Sequence, residues 1–139
     1  MVDVLHAITR AIKKEFPDYE IHTEKLKQDV KEPCFFVQEI YNKQKRLLSN
    51  RYKIETNFLI QVLCESLSNC EKSALAQKLH EILEIVELDD GTKIRGRNRN
   101  FMIYEYCVNF SVDYTNFMIE VVETEMFVDK PQINIHIGG

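Results

Sequence analysis

The sequence predicts an α+β protein in which a mostly antiparallel sheet packs against two main helices. The expected order is helix, strand, strand, long strand, helix, strand, strand, with a short strand able to close the chain. Three observations carry this expectation. Apolar residues recur three and four apart in two separate stretches, the repeat of a helix face. Between them, Arg51 to Glu65 alternates in side-chain character for fifteen residues. A second alternating set runs from Met102 to Tyr114.

The first helix carries Leu5, Ile8, Ile12 and Phe16 on one stripe, and Pro17 ends it because the residue before a proline is pushed out of the helical region. Tyr19 to Thr23 alternates apolar and polar and reads as a short strand. The polar stretch Glu24 to Pro33 follows, with Leu26 and Val30 as its aliphatic residues. Cys34 to Ile40 is a compact apolar strand, buried on both faces at its start. Lys43 to Ser49 reads as a polar, basic connection.

The long strand places Tyr52, Ile54, Thr56, Phe58, Ile60, Val62 and Cys64 on one face, with Arg51, Lys53, Glu55, Asn57 and Gln61 on the other. At about 3.3 Å per residue it would measure roughly 50 Å. A globule of this size has a radius of gyration near ~14 Å, so the strand must bend or project.

Ser68-x-x-Glu71 is a capping box that opens the second helix, and Leu75, Leu79, Ile82, Leu83 and Val86 form its stripe to about Glu87. Asp89-Asp90-Gly91 is a turn, and a strand starts at Thr92 or Lys93. The set from Met102 to Tyr114 reads as one long strand or as two that turn near Glu105-Tyr106; the size of the globule favours the hairpin. The tail from Asn116 to Val128 is apolar and acidic, and Ile133 to Ile137 can add an edge strand. Residues 1–139 read as one domain, for want of any linker, repeat or low-complexity tract.

Lys plus Arg is 18 and Asp plus Glu is 22, a formal charge of −4, which argues against a protein that coats nucleic acid. The 4 glycines stand at 91, 96, 138 and 139 and build neither a P-loop nor a dinucleotide fingerprint. No apolar run is long enough to span a membrane, and Met1 to His6 does not read as a secretory signal. Cys34, Cys64, Cys70 and Cys107 include no Cys-x-x-Cys pair. In a reduced cytoplasm they read as small core hydrophobes, although an even count also fits two disulfides.

Chemistry is sparse. His6, His22, His80 and His136 are isolated, and no His-x-x-x-His pair starts a metal site. No Gly-x-Ser-x-Gly elbow occurs, and Asp89 and Asp90 beside Gly91 read as turn residues. No catalytic, cofactor or metal residue is assigned.

Charge is segregated instead. Lys43, Lys45, Arg46, Arg51 and Lys53 form a run without an acidic residue, and Lys93, Arg95, Arg97 and Arg99 form a second. Glu120, Glu123, Glu125 and Asp129 occupy a stretch without a basic one. Solvated loops are the bland explanation. The sharper one makes Lys43, Lys45, Arg46, Arg51, Lys53, Arg95, Arg97, Arg99, Glu120, Glu123 and Glu125 a subunit or partner interface, basic side against acidic side, head to tail. A third reading takes Arg95, Arg97 and Arg99, all on one side of an extended segment, as phosphate contacts.

Thr23-Glu24 before the polar stretch, Lys31-Glu32-Pro33-Cys34-Phe35-Phe36, Asn50-Arg51-Tyr52 at the head of the long strand, and Asp90-Gly91 with Arg95-Gly96 make the pattern recognisable. In order and spacing they resemble the tail terminator proteins of long-tailed bacteriophages and prophages of Gram-positive bacteria, over roughly Leu5 to Tyr114. The family pattern favours Asp-Gly at the late hairpin, where this chain has Glu105-Tyr106. The resemblance implies a structural virion protein without enzymatic activity or cofactor, assembled in the host cytoplasm. It implies a ring, commonly of six copies, that caps the tail tube, stops its growth and joins the tail to the head. Its partners would be itself, the tube protein and a head-completion or neck protein, with DNA passing through the ring and no membrane involved. The competing readings are another ring of the neck, such as a connector-stopper, and a small cytoplasmic enzyme.

Overall fold

The structure is a computed structural model, and it describes residues 2–23, 31–122 and 133–138, with side chains in 4–23 and 31–119. The chain runs α1 (Val2–Glu15), β1 (Glu20–His22), β2 (Cys34–Arg46), β3 (Arg51–Leu63), α2 (Asn69–Ile82), β4 (Ile85–Glu87), β5 (Lys93–Ile103), β6 (Cys107–Val122) and β7 (Ile133–Gly138). This corrects the expected α+β class and its element order. The protein is mostly β, a single curled, mixed sheet carrying two helices.

Three departures account for the difference. β2 continues through the basic run to Arg46, because its outer half is exposed and an exposed strand needs no apolar alternation. α2 stops at Ile82, and Val86, which had looked like the end of its stripe, is the buried centre of β4. β6 extends past Tyr114 to Val122.

Among the described residues, seven strands form the sheet in the order β1-β2-β3-β6-β5-β4, with β7 also paired to β6. β1 lies parallel to β2, and every other pairing is antiparallel. The long strand does not stand alone. β3 is paired from Arg51 to Leu63 with β6 and along most of that length with β2. β6 has β3 on one side and, on the other, β5 opposite 108–114 followed by β7 opposite 117–122.

One face of the sheet holds the core. Phe35, Val37, Phe58, Ile60, Val62, Val108, Phe110, Val112 and Tyr114 pack with Val4, Ala7, Ile8 and Ile12 of α1 and Leu75, Ala76 and Leu79 of α2. The capping box forms as its sequence demands: Ser68 Oγ accepts from the Glu71 amide at 3.2 Å, and the Ser68 amide donates to the Glu71 carboxylate at 3.2 Å. Beyond the helix, Gly96 passes so close to the chain that a Cβ there would lie 2.5 Å from the Leu83 carbonyl oxygen and 2.8 Å from Val112 Cγ2. The hairpin turns at Glu105-Tyr106, and buried Lys72 of α2 reaches across to hold it, donating to the carbonyls of Tyr104 (3.0 Å) and Glu105 (2.5 Å).

The cysteine reading needs one correction. All four thiols are free, and Cys34 and Cys64 are buried, but Cys70 is exposed and Cys107 half-buried.

Candidate functional site

The second face of the sheet carries no helix among the described residues, and strand register decides which charges stand on it. Core residues of β3 and β6 occupy even positions, so Lys53, Glu55, Asn57 and Asp113 point the other way. Lys43 lies opposite Glu55 and Lys45 opposite Lys53, which puts Lys43 and Lys45 on the same face as their partners. Arg51 shares it by alternation. On β5, Arg97 lies opposite Asp113, and Arg95, two residues away, follows it. Six of the predicted basic residues, Lys43, Lys45, Arg51, Lys53, Arg95 and Arg97, therefore share the helix-free face.

The other two basic residues do not. Arg46 pairs in register with Tyr52, on the face that bears the helices, and its guanidinium lies 5.9 Å from that ring's centroid. Arg99 was expected beside Arg95 and Arg97 on spacing alone. An irregularity between Arg97 and Asn100, with Asn98 at φ 52°, turns it over. Its guanidinium donates to the His80 carbonyl at 2.6 Å and stands 4.0 Å from Glu84. Arg99 fastens the end of α2. The side chains of Glu120, Glu123 and Glu125 fall outside the described residues.

The helix-free face is banded. Lys43 and Lys45 on β2 are three strand steps across the sheet from Arg97 on β5, a lateral distance of roughly 14 Å at about 4.8 Å per step. Between them runs a polar and acidic seam. Asp113 accepts from Asn57 Nδ2 at 2.6 Å and from Asn98 Nδ2 at 2.8 Å. Tyr41 stands beside it, and its hydroxyl pKa is raised by desolvation first and then by the Asp113 and Glu55 carboxylates. Glu55 binds Lys53 at 3.1 Å. Lys43 lies 5.1 Å from the centre of the Tyr41 ring. Lys45 makes no ion pair among the described residues and faces Lys53 directly, an unfavourable like-charge pair that an anionic group from outside would relieve. Lys43, Gln44, Lys45, Lys53 and Glu55 line a recess of about 510 Å³ at this place. The Asp113 seam left no mark in the sequence, because Asn57 and Asp113 are 56 residues apart and only the register joins them.

Other titratable groups have structural surroundings. Burial pushes the Cys34 and Cys64 thiols up, the opposite of activation. Asp89 pairs with Arg10 at 2.6 Å, and Asp90 accepts from the Thr92 amide at 2.9 Å, which holds its carboxyl below the ordinary range. His22 bonds Glu20 at 3.3 Å. Among the described residues, no three His, Cys, Asp or Glu side chains converge as metal ligands, and no helix is long and apolar enough to cross a membrane. A recess of about 610 Å³ between the end of α1 and α2 is lined by Phe16, Tyr19, Leu67, Leu75 and charged residues.

A curled sheet of long paired strands, with two helices on one face and a banded second face among the described residues, defines a mostly β protein. Comparison with known families gives that class its name. Residues 3–126 match the family model described as phage tail terminator protein, and the chain belongs to that family of structural tail components. No match is found among curated proteins.

Proposed function

We propose that this protein caps the phage tail tube as a ring of its own copies, six in number, ends tube polymerisation and presents the surface that joins the tail to the head. DNA would pass through the central opening. The tube protein and a head-completion protein are the partners this role requires.

The observation that supports the reading is the arrangement of basic residues. Lys43, Lys45, Arg51 and Lys53 gather at the β2–β3 end of a face that has no helix over it, with Lys45 opposed to Lys53. Such a patch costs the isolated subunit and is relieved by acidic groups of a neighbour or of a tube subunit. Arg95 and Arg97 extend the same face on its other flank. Arg46 stands at the same end on the opposite face, where it can meet a second neighbour. Glu120, Glu123 and Glu125 supply the acidic counterpart in sequence.

Electron microscopy of tails assembled with and without the protein tests the proposal. Tubes of unregulated length, lacking heads, are expected without it. Tubes of normal length that fail only at head attachment would instead indicate a neck ring.

A further inference from the structure

Among the described residues, the distal half of the sheet has two open edges. On one side, among the described residues, β2 is covered by β1 only at Cys34, Phe35 and Phe36, and Asn42 to Arg46 are all exposed. On the other side, β7 pairs with β6 and with no other strand among the described residues. Both edges present backbone donors and acceptors, the template for a further strand.

Backbone bonding shows which groups of β2 are available. The Leu47 amide donates to the Arg51 carbonyl at 2.8 Å, so in this antiparallel ladder the amides of Lys45 and Lys43 also point toward β3. Those of Asn42, Gln44 and Arg46 point outward.

Strand direction decides what can be added. β2, β3, β6 and β7 alternate in direction across the sheet. With four strands in the series, the β7 of a copy related by rotation arrives antiparallel to β2, and the alternation continues unbroken. The sheet is stepped too, since β7 pairs as far as Val122 while β3 stops opposite Ile119. An offset of this kind is what tilted strands need in order to close.

Charge decides between the two ways of pairing. A two-fold contact of β2 with β2 centred on Gln44 would set Lys43 of each copy opposite Lys45 of the other. β7 reads Ile-Asn-Ile-His-Ile-Gly and contains neither Lys nor Arg.

We infer that copies of this chain join edge to edge, with β7 of one adding antiparallel to the outer edge of β2 of the next, so that their sheets merge around the ring. The contact is heterologous, as a closing ring requires. It rests on the ring reading above and specifies how the copies meet.

The full-length chain tests it in two ways. Gln44→Pro removes an outward amide without touching the β3 ladder, and proline is tolerated on an edge strand. Gln44→Thr keeps the amide. With an unchanged circular dichroism spectrum, Gln44→Pro is expected to sediment as a monomer where the parent and Gln44→Thr are assembled. Independently of that variant's folding, p-benzoylphenylalanine in place of Gln44 is expected to cross-link to 133–138 of another copy, read by mass spectrometry of the linked peptides. Cross-links from β2 to β2, or rings formed equally well by Gln44→Pro, would overturn the edge contact and leave the ring standing. A parent chain that stays monomeric, with and without purified tube ends, would overturn both.

Discussion

The Tyr114 hydroxyl donates a 2.7 Å hydrogen bond to the carbonyl of Leu83, the residue that caps the C-terminus of α2. Both residues are buried, and burial raises the pKa of the phenol well above its ordinary value, so it stays a protonated donor around neutral pH. The bond ties the middle of β6 to the point where the helix gives way to β4. Tyr114→Phe keeps the ring against Phe58 and leaves a buried carbonyl short of a partner, at a cost of about 1–3 kcal/mol. Urea unfolding measures it as a lower midpoint with an unchanged slope.

Gly96 lies opposite Tyr114 in the ladder and approaches the same carbonyl. Gly96→Ala inserts a methyl group against backbone oxygen, which cannot swing aside as a side chain could. A loss of about 1–3 kcal/mol is expected in the same unfolding assay. An unchanged midpoint would mean that the helix end gives way freely.

Arg95, Arg97 and Arg99 separate cleanly by assay. Arg95→Gln with Arg97→Gln alters only exposed positions and sets no carboxylate opposite Asp113, and the melting temperature should hold while ring formation or tube docking declines. Arg99→Glu removes the bond to the His80 carbonyl and places a carboxylate beside Glu84, so its melting temperature should fall. Equal melting temperatures for the two variants would refute the division of labour.

Lys72→Met keeps the length of the side chain and removes the ammonium group that holds the Tyr104 and Glu105 carbonyls. Bonds from a charged donor contribute about 1.5–3 kcal/mol, part of which water recovers at this exposed turn. Faster hydrogen exchange is expected at 103–107, with little change in the centre of β3.

His80 stands edge-on to Phe101 and Phe110, and burial, followed by the nearby Arg99 charge, lowers its pKa. The folded state thus binds its proton less readily than the unfolded chain, whose histidine titrates near ~6.5. By linkage, the stabilising contribution of neutral His80 is present above that value and declines as pH falls below it. Glu84 stands 4.0 Å from Arg99 in the same corner and moderates its field. The melting temperature should drop between about pH 7 and 5.5. In His80→Gln that drop should shrink, and an equal drop would assign it to other groups.

Legibility in the sequence followed burial. α1, the capping box at Ser68 and the alternation of β3 were plain because each buries one face and exposes the other. The outer half of β2 was hidden, since Lys43 to Arg46 are exposed on both sides and an exposed strand resembles a loop in composition. β4 was absorbed into the helix because Val86 falls on the helical stripe by chance of spacing. Of the site, the basic runs were visible as composition, but their division between two faces was not. That depends on the irregularity at Asn98, which turns Arg99 away from Arg97, and on the pairing of Lys45 with Lys53, which no local pattern specifies.

The ladder of thirteen residue pairs that joins β3 to β6 has the turn at Ser49 by one end and the tyrosine-bearing turn at Glu105 by the other, so its two strands run along the line between those turns. Pulling those two turns apart would load the ladder lengthwise, so its bonds would have to break together and not open singly like a zipper. Tension along that axis would therefore meet the whole ladder at once.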